Sequence, residues 1–179
     1  QTNNSIISGN NITNNEYGTY LDSSSDNTVS ENNITNNWVG IWIDWSSNNR
    51  FYHNNFINNT NQVYTYESIN VWDYGYPSGG NYWSDYTGVD LYSGPYQNVT
   101  GSDGIGDTPY IIDANNQDNY PLIKLWTPFE GKTIYIRADG SIDPSRAPIQ
   151  RKGDVYTLTG NIMTNADGIV TERDNMTLD

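Results

Sequence analysis

The apolar and polar positions in the first third of the chain repeat every 22 residues. SGNNITNN at 8–15 returns as SENNITNN at 30–37 and as YHNNFINN at 52–59, and behind them YGTYLD (17–22), VGIWID (39–44) and NQVYTY (61–66) align. The apolar residues sit in short runs separated by Asn and Ser, without a helical period, so each repeat predicts short strands joined by bends. A fixed period over residues 4–66 predicts stacked coils, each burying its apolar face only against a neighbour. The fold class expected is all-β, a parallel β-helix of about three coils.

Alignment of the coils gives columns of like residues: Ile7, Val29 and Phe51; Ile12, Ile34 and Phe56; Thr19, Ile41 and Val63; Leu21, Ile43 and Thr65. Strand side chains alternate between faces, so positions 19 and 21 point inward and position 20 outward. With coils about 4.8 Å apart, each column becomes a ladder. Asn11, Asn33 and Asn55, and Asn14, Asn36 and Asn58, fall at the expected bends. There Asn tolerates the left-handed conformation, and its amide reaches the coils above and below.

The outward column is Tyr20, Trp42 and Tyr64, with Trp38, Trp45 and Trp72 near it in sequence. Such a row either stacks against sugar rings or is buried under a loop or a neighbouring subunit. The second reading is preferred, because exposed aromatic patches mark contacts. Asp22 and Asp44 share a further column, with Tyr66 in the third coil. Stacked carboxylates repel unless a cation or proton joins them; a solvated turn beside the neighbouring serines is the preferred reading.

Charge narrows the partners. Twenty-one acids against eight bases give a net charge of −13, which opposes nucleic acid and favours cations. The chain has no Cys, so disulfides and thiolate metal sites are excluded. No apolar run is long enough to span a membrane. Asn-X-Ser/Thr sequons at Asn3, Asn11, Asn33, Asn58, Asn98 and Asn175 are candidate glycosylation sites of an exported chain.

After Pro77 the period breaks, which divides the chain into coils (1–78), a Gly/Trp/Asp-rich module (79–128) and a C-terminal β segment (129–179). The middle module carries Asp85, Asp90, Asp103, Asp107, Asp113 and Asp118. Its run Asp103-Gly-Ile-Gly-Asp107 is similar to short acidic loops that wrap calcium, since Gly lets the backbone fold tightly around a hard cation. No Glu closes the run, and the alternative is a turn whose Asp side chains bond their own backbone amides.

Three Asn-rich coils followed by GNYWSDYTG, DGIGDTPYIID and DNYPL resemble the periplasmic copper-chaperone NosD-type family of right-handed β-helices. They resemble even more the archaeal surface proteins built from such modules. Over residues 1–128 the resemblance implies a right-handed parallel β-helix whose last coil is covered by the 79–128 module. Copper delivery does not carry over. Soft copper sites take Cys, Met or His, and the chain offers no Cys, His53 alone, and Met163 and Met176 far from it in sequence.

A strand over Lys132–Arg137, then VYTLTGNI (155–162) and GIVTERDNMTLD (168–179), predict further β structure. With IYIRADGSIDP they resemble the opening segment of the same archaeal modules. The expectation is a processed or excised piece of a secreted precursor, in which the Asp179 end of one copy stacks on the Gln1 end of the next. A window of a longer tandem-repeat surface protein is the alternative.

Polysaccharide-cleaving β-helices need a base near a calcium-bound carboxylate, or paired Asp residues. The coil face offers only Arg50 and His53, without a matching Asp column, so catalysis is not expected. The function expected is a non-enzymatic extracellular structural protein, a self-associating surface-layer, sheath or filament subunit. The alternative is a carbohydrate-binding module that holds cell-surface glycans on Tyr20, Trp42 and Tyr64.

Overall fold

The computed structural model describes residues 1–130, 133–144, 147–160, 162–163 and 167–179, which form two compact units, Gln1–Trp126 and Thr127–Asp179. All regular structure among the described residues is β.

In the first unit each repeat supplies three strands. They are β1 (Ile6–Ser8), β2 (Asn11–Thr13) and β3 (Tyr17–Asp22); β4 (Thr28–Ser30), β5 (Asn33–Thr35) and β6 (Val39–Asp44); and β7 (Arg50–Tyr52), β8 (Asn55–Ile57) and β9 (Asn61–Tyr66). Equivalent strands pair in parallel in three sheets, one along each side of a parallel β-helix. The register is the sequence period: Ile7 faces Val29 and Phe51, Ile12 faces Ile34 and Phe56, and Tyr20 faces Trp42 and Tyr64.

The inward columns form the core, with Val29, Ile34, Ile41, Ile43, Phe51 and Phe56 buried. Two columns widen along the stack until they end in tryptophan. Phe51 stacks on Trp72 with ring centroids 4.2 Å apart, and Phe56 stacks on Trp83 at 4.2 Å. Tyr110 then covers Trp83 at 4.2 Å. Stacked rings add roughly 0.5–1.5 kcal/mol per pair beyond their burial.

The stack does not stop at Pro77. Strand β10 (Tyr82–Trp83) pairs in parallel with β8, and Val71 bridges to Arg50. Two antiparallel hairpins complete the module: β11 (Tyr92–Ser93) with β12 (Val99–Thr100), and β13 (Tyr110–Ile111) with β14 (Gln117–Asp118). The module therefore caps the last coil.

Asn14, Asn36 and Asn58 take left-handed φ values of 59°, 54° and 52°, as the bends require. The amide ladders, however, stand one residue away from the expected columns. Asn10, Asn32 and Asn54 form one ladder and Asn15, Asn37 and Asn59 another; in the expected column Asn11 and Asn33 open strands with their side chains exposed, while the buried Asn55 does reach the neighbouring coil, its amide donating to Asn33 Oδ1 at 2.7 Å. Alternation within the strand accounts for the shift: Ile12 and Ile34 must point inward, so the residues before them point out.

The second unit contains β15 (Phe129–Glu130), β16 (Ile134–Ile136), β17 (Ile142–Asp143), β18 (Ile149–Lys152), β19 (Val155–Leu158), β20 (Ile162–Met163), β21 (Ile169–Thr171) and β22 (Thr177–Leu178). Parallel pairs β15–β20, β16–β21 and β19–β22 join antiparallel pairs β16–β17 and β18–β19 around Ile134, Ile136, Ile149 and Tyr156. The strand expected over 132–137 is shorter, because Arg137 opens the turn to β17, its N–H donating to the Ser141 carbonyl and its own carbonyl accepting from Gly140; its side chain pairs with Asp143 (2.5 Å) and Glu172 (2.7 Å). Lys132 and Asn161 lie outside the described residues.

Candidate functional site

Two parts of the first unit gather chemistry: the outer face of the β3–β6–β9 sheet and the cap. On the sheet, parallel pairing lines up Tyr20, Trp42 and Tyr64 on the outward side. Tyr20 is 55% and Tyr64 41% exposed, so among the described residues of this unit no loop buries the ends of the row. Trp42 and Tyr64 lie 4.1 Å apart, and Tyr20 meets Trp42 edge-on at 6.3 Å. Tyr17 joins them, 5.0 Å from Trp42 and 5.9 Å from the exposed Trp38. Its part was not legible in the sequence, because its register partner Val39 is a core residue. Trp72, near the row in sequence, lies in the core instead.

Asp22 and Asp44 are paired in register, as the alignment predicts. The expected solvated turn is corrected for Asp44, which is half-buried and is the hydrogen-bond acceptor of the row. Its Oδ2 accepts the Trp42 indole N–H at 2.7 Å and the Tyr20 hydroxyl at 3.3 Å. Partial burial, together with the charges of Asp44 and Asp22, pushes the Tyr20 hydroxyl above its ordinary pKa. Carboxylate and rings are one interlocked group.

The cap closes the ladders. In each, a backbone N–H donates to the Oδ1 of the Asn one coil further on. One runs from Asn10 through Asn32 and Asn54 to Asn81, a second from Asn27 through Asn49 and Asn70 to Asn116, and a third from Asn15 through Asn37 to Asn59. Every ladder ends on a cap carboxylate. Asn81 donates to Asp118, Asn116 donates to Asp113, and Asn59 donates to Gln62, which donates to Asp85.

Asp118 also accepts the Trp83 indole and the Tyr120 backbone N–H. Its burial pushes the carboxyl up to about 7, against these donors, which pull it down. Asp113 ends on the other side of its ordinary value. Burial raises it, but hydrogen bonds from Thr65, Asn115 and Asn116 outweigh that and hold it low.

Asp103 and Asp107 lie in the loop that follows the β11–β12 hairpin. Asp107 accepts the backbone N–H groups of Leu91 and Tyr92, and Asp103 accepts those of Gly94 and Ile105. Asp90 accepts the N–H groups of Asp103 and Gly104. This arrangement is that of a turn braced by its own acids. Among the described residues no group of three or more His, Cys, Asp or Glu side chains is placed to hold a metal ion.

The soft donors that copper takes are scarce. His53 is buried, its ring stacked on Trp126 at 5.3 Å and its Nε2 2.9 Å from the Ser78 carbonyl, and burial lowers its pKa. The chain has no Cys and no second His, and Met163 and Met176 belong to the other unit. The six sequon asparagines Asn3, Asn11, Asn33, Asn58, Asn98 and Asn175 are all exposed.

Residues 1–88 match the model of the family described as periplasmic copper-binding protein (NosD). Together with the stacked parallel strands, this makes the segment a NosD-type parallel β-helix repeat. That family is described as periplasmic, which is consistent with a β-helix protein outside the cytoplasm. No curated protein and no solved structure matches it.

Proposed function

We propose that the chain is a non-enzymatic, extracellular structural module that associates end to end with further β-helix coils, as a surface-layer, sheath or filament subunit. The observation that carries this reading is the direction of the asparagine ladders. Each coil gives N–H donors to the coil above and offers Oδ1 acceptors to the coil below. The outer edge of the first coil carries the same acceptors, Asn10 and Asn15, in the same register, beside an exposed Ile6. A coil edge with matched groups is a template for another coil. That neighbour belongs either to a second copy or to the same longer polypeptide.

The non-enzymatic reading is supported by the engagement of the reactive groups: Asp44 by ring donors, His53 by Ser78, and the cap acids by amides. Size-exclusion chromatography with negative-stain microscopy tests the association. Filaments or concentration-dependent oligomers are expected, and a monomer at every concentration overturns association between copies. Reducing-sugar and unsaturated-product assays on neutral and acidic polysaccharides are expected to stay at background.

A further inference from the structure

We propose that residues 158–179 are a further 22-residue coil whose outer edge receives the first coil of a second copy of the chain, with β20 beside β1, β21 beside β2 and β22 beside β3. Resting on the end-to-end association above, this assignment names the opposing surface. The period comes first. In the second unit Val155 faces Thr177 and Tyr156 faces Leu178, the spacing of 22 residues that separates Ile12 from Ile34. Laid position for position on residues 1–22, residues 158–179 repeat Thr2, Ile12, Leu21 and Asp22 as Thr159, Ile169, Leu178 and Asp179. The same alignment overlaps β20, β21 and β22 with β1, β2 and β3.

The backbone phase agrees with that alignment. Residues of a strand in a parallel sheet bond alternately to the two sides. The Gly168 carbonyl and the Glu172 N–H bond to Ile134 and Ile136, so alternation turns the groups of Ile169 and Thr171 to the outer edge. In the first coil the Asn10 carbonyl and the Asn14 N–H bond to Asn33 and Thr35, so those of Asn11 and Thr13 turn to its outer edge. Ile169 thus stands toward Asn11 and Thr13 as Ile12 stands toward Asn33 and Thr35, and donors meet acceptors. A slip of one residue would lose this match and turn side chains to the wrong face.

Apolar side chains wait at both edges. Ile169 packs on the core of its unit as the aligned Ile12 packs on its own. Leu178, aligned with the inward Leu21, is 46% exposed, and Ile7 and Ile12 are only partly buried. All six strands are outermost in their sheets among the described residues. Stacking covers these side chains from both sides. Because the two edges differ and belong to one sequence, the contact is heterologous and repeats head to tail.

The chain has no Cys, so introduced cysteines report the register. Thr177 and Tyr20 are exposed, aligned positions that stacking sets about 4.8 Å apart, within disulfide reach. Full chains carrying Thr177→Cys and Tyr20→Cys singly, mixed under mild oxidation, are expected to form a disulfide-linked dimer. The double variant is expected to form a ladder of multimers that reduction collapses. Thr177→Cys mixed with Tyr17→Cys, displaced by about 10 Å along the strand, is expected to form none. Leu178→Asp is expected to weaken association about tenfold in size-exclusion chromatography, with the far-ultraviolet circular dichroism unchanged. Oligomers that lack the Thr177–Tyr20 link, a link in either single variant alone, a cyclised monomer of the double variant, equal yield with Tyr17→Cys, or full association of Leu178→Asp would each overturn this interface while leaving end-to-end association standing. A monomer at every concentration would overturn both.

Discussion

The backbone N–H of Asn81 donates to Asp118 Oδ2 at 2.7 Å, in the place where one more coil would have offered an asparagine oxygen. The cap thus replaces the next repeat by its hydrogen-bonding equivalent. A β-helix end otherwise leaves a coil of donors unpaired, at about 1–3 kcal/mol for each buried group. Asp118→Ala removes the acceptor of Asn81, Trp83 and Tyr120 together. It is expected to destabilise the first unit by about 3 kcal/mol or more, read by urea unfolding. All six tryptophans lie within residues 1–126, so their fluorescence reports that unit alone.

The same carboxyl makes stability pH-dependent. Its ordinary pKa of 3.8 is raised to about 7 in the folded chain. Between those values the unfolded chain gives up the proton and the folded chain keeps it, so stability falls as pH rises from 4 to 7. The fall is on the order of 4 kcal/mol. Asp113 acts in the opposite sense: held low, it contributes stability above its ordinary pKa that is lost as pH falls through its folded value. A falling melting temperature between pH 4 and 7, flattened by Asp118→Asn, is the expected outcome; a flat profile in the parent would sink the assignment.

Gly80 lies directly against this carboxylate. A Cβ there would stand 1.9 Å from Asp118 Oδ1, with both Asp118 oxygens within 2.4 Å. Gly80→Ala is expected to loosen the cap by about 1–3 kcal/mol, seen as faster hydrogen exchange at Asn81 and Trp83 than in the parent.

The one-residue shift of the ladders is open to a paired substitution. Asn54 is buried and bonds to Val29, Asn81 and Asn32, whereas Asn11 is exposed at the start of β2. Asn54→Ala is expected to cost roughly 2–4 kcal/mol and Asn11→Ala under about 0.5 kcal/mol. Equal effects in chemical denaturation would place the load on the wrong column.

Asp103 and Asp107 supply a contrast with calcium. Their oxygens brace Leu91, Tyr92, Gly94 and Ile105, so Asp107→Ala is expected to lower the melting temperature equally with and without millimolar calcium. A calcium-induced rise in the parent that Asp107→Ala abolishes would show that the loop takes the ion.

The repeat made most of the stack legible. Period, strand positions, inward columns and the pairing of Tyr20 with Trp42 and of Asp22 with Asp44 all follow from aligning three coils, because a parallel stack converts sequence period directly into spatial register. The left-handed bends at Asn14, Asn36 and Asn58 follow from residue type. What the repeat could not determine lies where periodicity ends. Asn32 and Asn33 are the same residue type side by side, and only the inward turn of the chain decides which of them is buried. Trp72 and Trp83 become core, and Asp85 and Asp118 become ladder ends, through contacts across 21 to 37 residues that no local pattern encodes. Sequence determined the coil; tertiary structure decided how the coil is closed, because closure depends on which distant side chain meets each unpaired donor.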